Sequence, residues 1–190
     1  MEDGIAVAAP FVQPSMKLIT IHGFAGSTYT RSARMACVEK GLAHELAPLA
    51  FGSESHRALH PFLKMPAMSH DGVELYETVA ILSYVDAIGD GPALQPARPI
   101  ERAQMLQWIS VANSYLYADL VAALLDSSPT RGDQRIVADV DLLDRRLGEA
   151  PFLAGPSLSL AALIVAPMIG PSLAIMARPR RSRINGACGD

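Results

Sequence analysis

HPFLKMPAMSHDGVELYETVAILSYVDAI, residues 60–88, is the stretch on which the fold turns. A Lys-Met-Pro turn leads into a short apolar strand at Ala67 and Met68, Asp71-Gly72 reverses the chain, and Val73 and Leu75 begin a second strand. Asp-Gly between two short runs is a hairpin signal, because glycine accepts the positive φ of a tight primed turn. A helix follows at once: Ile81, Tyr84, Val85 and Ile88 recur at i, i+3, i+4 and i+7 and form one apolar stripe. Glu77 and Thr78 then fall in the first turn, where unpaired N–H groups and the positive end of the helix dipole gather polar ligands. A strand, a turn and a helix start brought together in this way predict a pocket for a small anionic molecule.

Upstream, KLITIH (residues 17–22) is a β-branched run followed by Gly23, Gly26 and Ser27, and a helical pattern extends over about 30–40. Gly41 suits a helix C-cap and HELAPL (44–49) reads as a second strand. The crossover between these strands has the length a parallel pair needs. Residues 52–60 are polar and read as a loop. The order is therefore β-α-β followed by β-β-α, which is thioredoxin-like. Downstream, GDGPALQPARP (89–99) holds three prolines and two glycines and reads as a linker. Beyond it Met105, Ile109, Ala112 and Leu116, then Ile136, Val140, Leu143 and Leu147, follow helical spacing, with a turn expected over 127–133. The fold class expected is an α/β thioredoxin-like N-terminal domain followed by an all-α helical bundle. The boundaries are a loose leader at 1–15, a first domain at 16–88, the linker at 89–99 and a helical domain at 100–190, atypical after 168.

A chain of 190 residues suits one large domain or two small ones and can bury a substantial core. With 18% charged residues and a net charge of −3, nothing invites nucleic acid. The two cysteines, Cys37 and Cys188, are too few for a disulfide framework and fit a reducing cytoplasm. The N-terminus begins with two acids and is interrupted by Pro10 and Pro14, unlike a secretory signal. His22, His44, His56, His60 and His70 are scattered without ligand spacing, so no metal site is expected. Residues 154–177 lack charge and precede Arg178, Arg180, Arg181 and Arg183, which superficially suggests a membrane span. Pro156, Pro167, Gly170 and Pro171 are expected to break that run into pieces too short to cross.

Three motifs in order carry a family resemblance: GSTYTR (26–31), Met65-Pro66 and LYETVAIL (75–82). Together with the linker and the helical second half, they make residues 17–168 resemble a soluble glutathione S-transferase, most like the serine-type bacterial and plant forms. The resemblance implies a cytoplasmic detoxification enzyme that is a homodimer, takes glutathione as co-substrate with no tightly bound cofactor, and conjugates it to a small hydrophobic electrophile. It implies that Ser27, ahead of the first helix, stabilises the glutathione thiolate. A hydroxyl donor at a helix N-terminus would lower the thiol pKa. Ser27 also suits a plain helix cap, and Thr28, Thr30 and Tyr29 are neighbouring hydroxyls; family spacing alone selects Ser27. Pro66, in the family's cis-proline position, would present the Met65 backbone to the cysteinyl part of glutathione. Glu77 and Thr78 would take the ammonium and carboxylate of the γ-glutamyl end, although both also suit capping. His56 and Lys64 match positions that meet the glycyl carboxylate. Tyr115 and Tyr117 are the candidates for the electrophile side; aromatics at helical spacing are also ordinary core.

The chain also departs from the pattern. Leu63 stands where many relatives have glycine. SLAA (159–162) lacks the acid of the family's Ser-x-x-Asp capping box, and after Met168 the resemblance stops. These departures leave open an alternative, a glutathione-binding or protein-interaction module of the same fold with little or no turnover. A thiol oxidoreductase is disfavoured, because no cysteine opens the first helix.

Overall fold

The computed structural model describes residues 18–121 and 129–176, with the side chains of all of these except 129–133 and 171–176. The expected leader at 1–15 and the chain beyond 176 lie outside the described residues.

Ile19 and Ile21 point into the core and Thr20 and His22 away from it, the period of two that a half-buried strand requires. This strand, β1 (Ile19–His22), feeds α1 (Thr28–Glu39), which crosses back to β2 (His44–Ala47) parallel to β1. The hairpin forms as its sequence dictates. β3 (Ala67–His70) runs antiparallel to both β1 and β4 (Val73–Tyr76), and Asp71 and Gly72 turn the chain with φ of 49° and 79°. Sheet order is β2-β1-β3-β4. The polar residues expected to form a loop at 52–60 instead contain α2 (Glu54–Leu59). Ser53 caps it by accepting the His56 N–H at 3.1 Å, a cue hidden in a segment too short to show periodicity.

α3 (Thr78–Ile88) buries Ile81 and Val85 as its stripe predicts, with Tyr84 and Ile88 partly covered. It also buries Leu82, because it packs against α1 on one side and meets α6 on another. α4 (Pro99–Val111) runs directly into a π-helical segment, Ala112–Val121. α5 (Pro129–Glu149) buries Ile136 and Leu143, while Leu147 at its far end stays exposed. Part of the turn expected at 127–133 is helical, since α5 starts at Pro129, where a missing N–H costs nothing; residues 127 and 128 lie outside the described residues.

α6 (Leu160–Met176) departs furthest from expectation. It continues through Pro167, Gly170 and Pro171, which were expected to break it. Each proline removes one bond from the helix ladder, at a cost of about 3 kcal/mol in a free helix. Leu160, Leu163, Ile164 and Met168 are almost fully buried. Each contributes roughly 1.5–3 kcal/mol, so tertiary packing outweighs the two breakers. No helix among the described residues is long and apolar enough to cross a membrane. α6 packs on α1, α4 and the π-helical segment, so the buried side chains of the sheet layer and of the helices join in one cluster. The architecture is a thioredoxin-like α/β layer followed by a helical layer.

Candidate active site

A cavity of about 850 Å³ opens where the two layers meet. Phe24, Gly26 and Ser27 line it from the β1–α1 loop, and Leu63, Lys64, Met65 and Pro66 from the turn before β3. Glu77, Thr78 and Val79 come from the start of α3, and Asn113, Tyr117 and Val121 from the π-helical segment. Ser27, Lys64, Met65, Pro66, Glu77, Thr78 and Tyr117, far apart in sequence, therefore share one wall-to-wall space.

Ser27 is the N-cap of α1, and its Oγ accepts the Thr30 N–H at 3.3 Å. A hydroxyl that accepts in this way keeps its own O–H to donate. Thr28 is buried at the cavity edge, whereas Thr30 is fully buried away from the cavity, so the neighbouring hydroxyls are not equivalent. Tyr29 also reaches the cavity, but its hydroxyl donates to Asn113 Oδ1 at 3.0 Å and its ring stacks on Tyr117 with centroids 4.9 Å apart. Burial first, then Tyr117 and Glu77, pushes the Tyr29 phenol far above its ordinary value, so it stays protonated.

The Met65-Pro66 bond is cis. Glu77 adopts a φ of 71°, a backbone conformation unusual for a residue with a side chain, and makes no side-chain cap on α3. The first N–H groups of α3 are thus left uncovered by a capping side chain beside the cavity, with the positive end of the dipole behind them. Lys64 adds a cation and Glu77 a carboxylate to the same wall.

Two expected site residues lie elsewhere. His56 is fully buried, its Nδ1 accepting the Gly52 N–H at 3.2 Å and its Nε2 2.8 Å from the Lys64 carbonyl. Both ring nitrogens are occupied by backbone, so His56 fixes the Lys64 turn from behind instead of meeting a ligand. Tyr115 is 63% exposed and outside the cavity, because residues two apart on a helix point to nearly opposite sides, and Tyr117 is the one turned inward. Conversely, Phe24, Phe51, His60, Val79, Asn113 and Val121 line the cavity without having been singled out for it. Asn113 had one cue, a polar residue directly after the apolar Ala112, and the others had none.

Among the described residues no group of His, Cys, Asp and Glu side chains is arranged to hold a metal ion. The lining suits a zwitterionic peptide-like ligand: it brings together a hydroxyl, a cation, an uncovered helix start with a carboxylate, and apolar side chains.

Comparison with known proteins agrees. Residues 21–93 match the family model described as glutathione S-transferase, N-terminal domain. A glutathione S-transferase of Pseudomonas putida is 30% identical over 160 residues, covering 77% of this chain and 71% of that protein. One from Silene vulgaris is 27% identical over 175 residues, covering 80% and 81%. In fold, the chain superposes on a diazinon-metabolizing glutathione S-transferase of the silkworm Bombyx mori with a TM-score of 0.75, at 22% identity and covering 84% and 82% of the two chains. The sequence relatives, supported by the shared fold, establish that the chain belongs to the glutathione S-transferase family.

Proposed function

We propose that the chain is a glutathione transferase in which Ser27 holds the glutathione thiolate and a small hydrophobic electrophile enters from the helical side. The observation that carries this reading is the shared cavity, which Ser27 and the uncovered start of α3 line together with Tyr117 and Val121. Glutathione's γ-glutamyl carboxylate would take the N–H groups of α3 and the Thr78 hydroxyl, and its ammonium the Glu77 carboxylate. The Met65 backbone beside Pro66 would pair with the cysteinyl unit in the manner of an added strand. The glycyl carboxylate would lie toward Lys64. The thiol loses its proton to solvent, the Ser27 O–H donates to the sulfur anion, and that anion displaces the leaving group of the electrophile. Residues 16–88 would form the glutathione half and 100–190 the electrophile half, with 89–99 between them.

Exposed Phe51, Phe62, Val73, Tyr76, Ile100 and Leu106 suit a homodimer that covers the first half of one subunit with the second half of another. A reducing cytoplasm suits the buried, unpaired Cys37.

The test is turnover of glutathione with a chromogenic aryl halide. Ser27→Ala is expected to lower kcat about a hundredfold and to move the pH–rate profile toward that of free thiol, while Ser27→Thr keeps most of the rate. Activity indifferent to Ser27→Ala would overturn the mechanism.

A further inference from the structure

His60 is a polar side chain at the cavity that the reading above leaves without a task. It is 1% exposed, and it ends α2 just before the turn that carries Lys64 and Met65. Its backbone holds that turn, the N–H bonding to His56 O at 2.8 Å and the carbonyl accepting the Leu63 N–H at 2.9 Å. The ring clusters with Tyr76, centroids 5.0 Å apart, and Phe62, at 6.3 Å. Among the described residues Nδ1 has no hydrogen-bond partner, and Nε2 stands 3.9 Å from Glu77 Oε1. That separation is too long for a hydrogen bond and short enough for an ion pair once the ring carries a proton. A buried imidazole is thus fixed beside the carboxylate assigned to the ligand's ammonium, with one nitrogen unsatisfied.

We infer that His60 is a positioning residue that tunes glutathione binding through Glu77: neutral, it leaves the carboxylate to the ammonium of the ligand; protonated, it pairs with that carboxylate and competes with the ligand. The inference rests on the assignment of Glu77 made above.

Every charged or titratable group facing the ring bears on the balance. Glu77, at the start of α3, favours the imidazolium; His56 from α2 and Lys64 from the following turn oppose it. Burial weighs more than any of these and holds the imidazole below its ordinary value of 6.5. At pH 7.5 the ring is therefore neutral and Glu77 is available. As pH falls through that lowered value the ring gains its proton, and the Glu77 carboxylate gains a second cation to serve. The ammonium of glutathione is charged throughout this range, so the competition is between two cations for one anion. The side chain of Glu77 is 66% exposed, so the effect is modest.

The experiment is calorimetric titration of the intact protein with glutathione at pH 5.5 and pH 7.5, a window above the ordinary carboxylate range. The wild-type Kd is expected to be about threefold weaker at pH 5.5. His60→Asn should bind at both pH values with the same Kd. Its binding at pH 7.5 also shows that it is folded. Glu77→Gln should bind more weakly than wild type throughout and lose the pH dependence. A flat wild-type Kd, or an unchanged slope in His60→Asn, overturns the role of His60 while leaving glutathione binding intact. Failure of the folded wild type to bind at either pH overturns the assignment of the cavity itself, and this inference with it.

Discussion

Leu63 holds a left-handed backbone, φ 51°, at the edge of the cavity. The conformation costs a residue with a Cβ about 1–2 kcal/mol and glycine almost nothing. Leu63→Gly relieves that strain, loses some apolar contact of a half-buried side chain, and adds chain entropy to the unfolded state. The balance is a gain of about 0.5 kcal/mol, read as a higher midpoint in urea at unchanged slope; a lower midpoint would show that the leucine side chain contributes more packing than its backbone costs. The sequence marked Leu63 as a departure without revealing why glycine is usual there, because a dihedral angle leaves no trace in one residue's identity. His56 illustrates the same limit. As a letter it is a polar loop residue suited to a carboxylate, and only the buried ring with its two backbone partners shows a positioning role. The helix-start places of Ser27, Glu77 and Thr78 were legible, because polar residues just ahead of an apolar stripe mark a helix N-terminus.

Among elements, the stretch 89–99 also departs from what its composition suggests. Two glycines and three prolines suggest a loose tie, yet the segment is anchored at Gly89, Gly91 and Leu94. A Cβ on Gly91 would stand 2.8 Å from Lys40 Cα, and Leu94 is buried. Lys40, at the end of α1, is itself 4% exposed. Its Nζ donates to the carbonyls of Gly91 at 2.6 Å and Pro92 at 3.0 Å and pairs with Asp86 of α3 at 3.2 Å. Asp86 in turn accepts the N–H of Leu94 at 2.8 Å and the side-chain amide of Gln95 at 3.2 Å. One buried cation thus ties α1, α3 and the connecting segment. Lys40→Met leaves the Asp86 charge and two carbonyls buried without their donor and is expected to destabilise by about 3–5 kcal/mol in urea unfolding. A loss below about 1 kcal/mol would mean that solvent already reaches the pair. The glycines looked like flexibility because the sequence does not show which backbone they lie against. The π-helical segment was illegible for a related reason: Ala112, Leu116 and Leu120 fit a helical face, and their uniform spacing of four is too short a run to reveal the wider turn.

At the scale of the whole molecule, the position of α6 decides how the two layers behave. Its buried face meets α1, α4 and the π-helical segment, and its first N–H, from Leu160, bonds the Leu94 carbonyl at 3.0 Å. The buried residues of both layers are continuous, so neither layer can lose its partner without exposing its own core. Such a chain should unfold as one cooperative unit despite an apparent linker in its middle. Each layer carries its own probe. Trp108 lies partly buried in α4, and Cys37 is fully buried in α1, where burial pushes its thiol up to about 11 and keeps it inert in the folded protein. In a Cys188→Ser background, Trp108 fluorescence and Cys37 labelling by a brief thiol-reagent pulse are expected to give the same urea midpoint. Lys40→Met should then lower both midpoints equally. Two separated midpoints, or a substitution at Lys40 that moves only the thiol, would show that the helical layer stands without the sheet, and that the cavity is a contact between independent parts rather than a feature of one core.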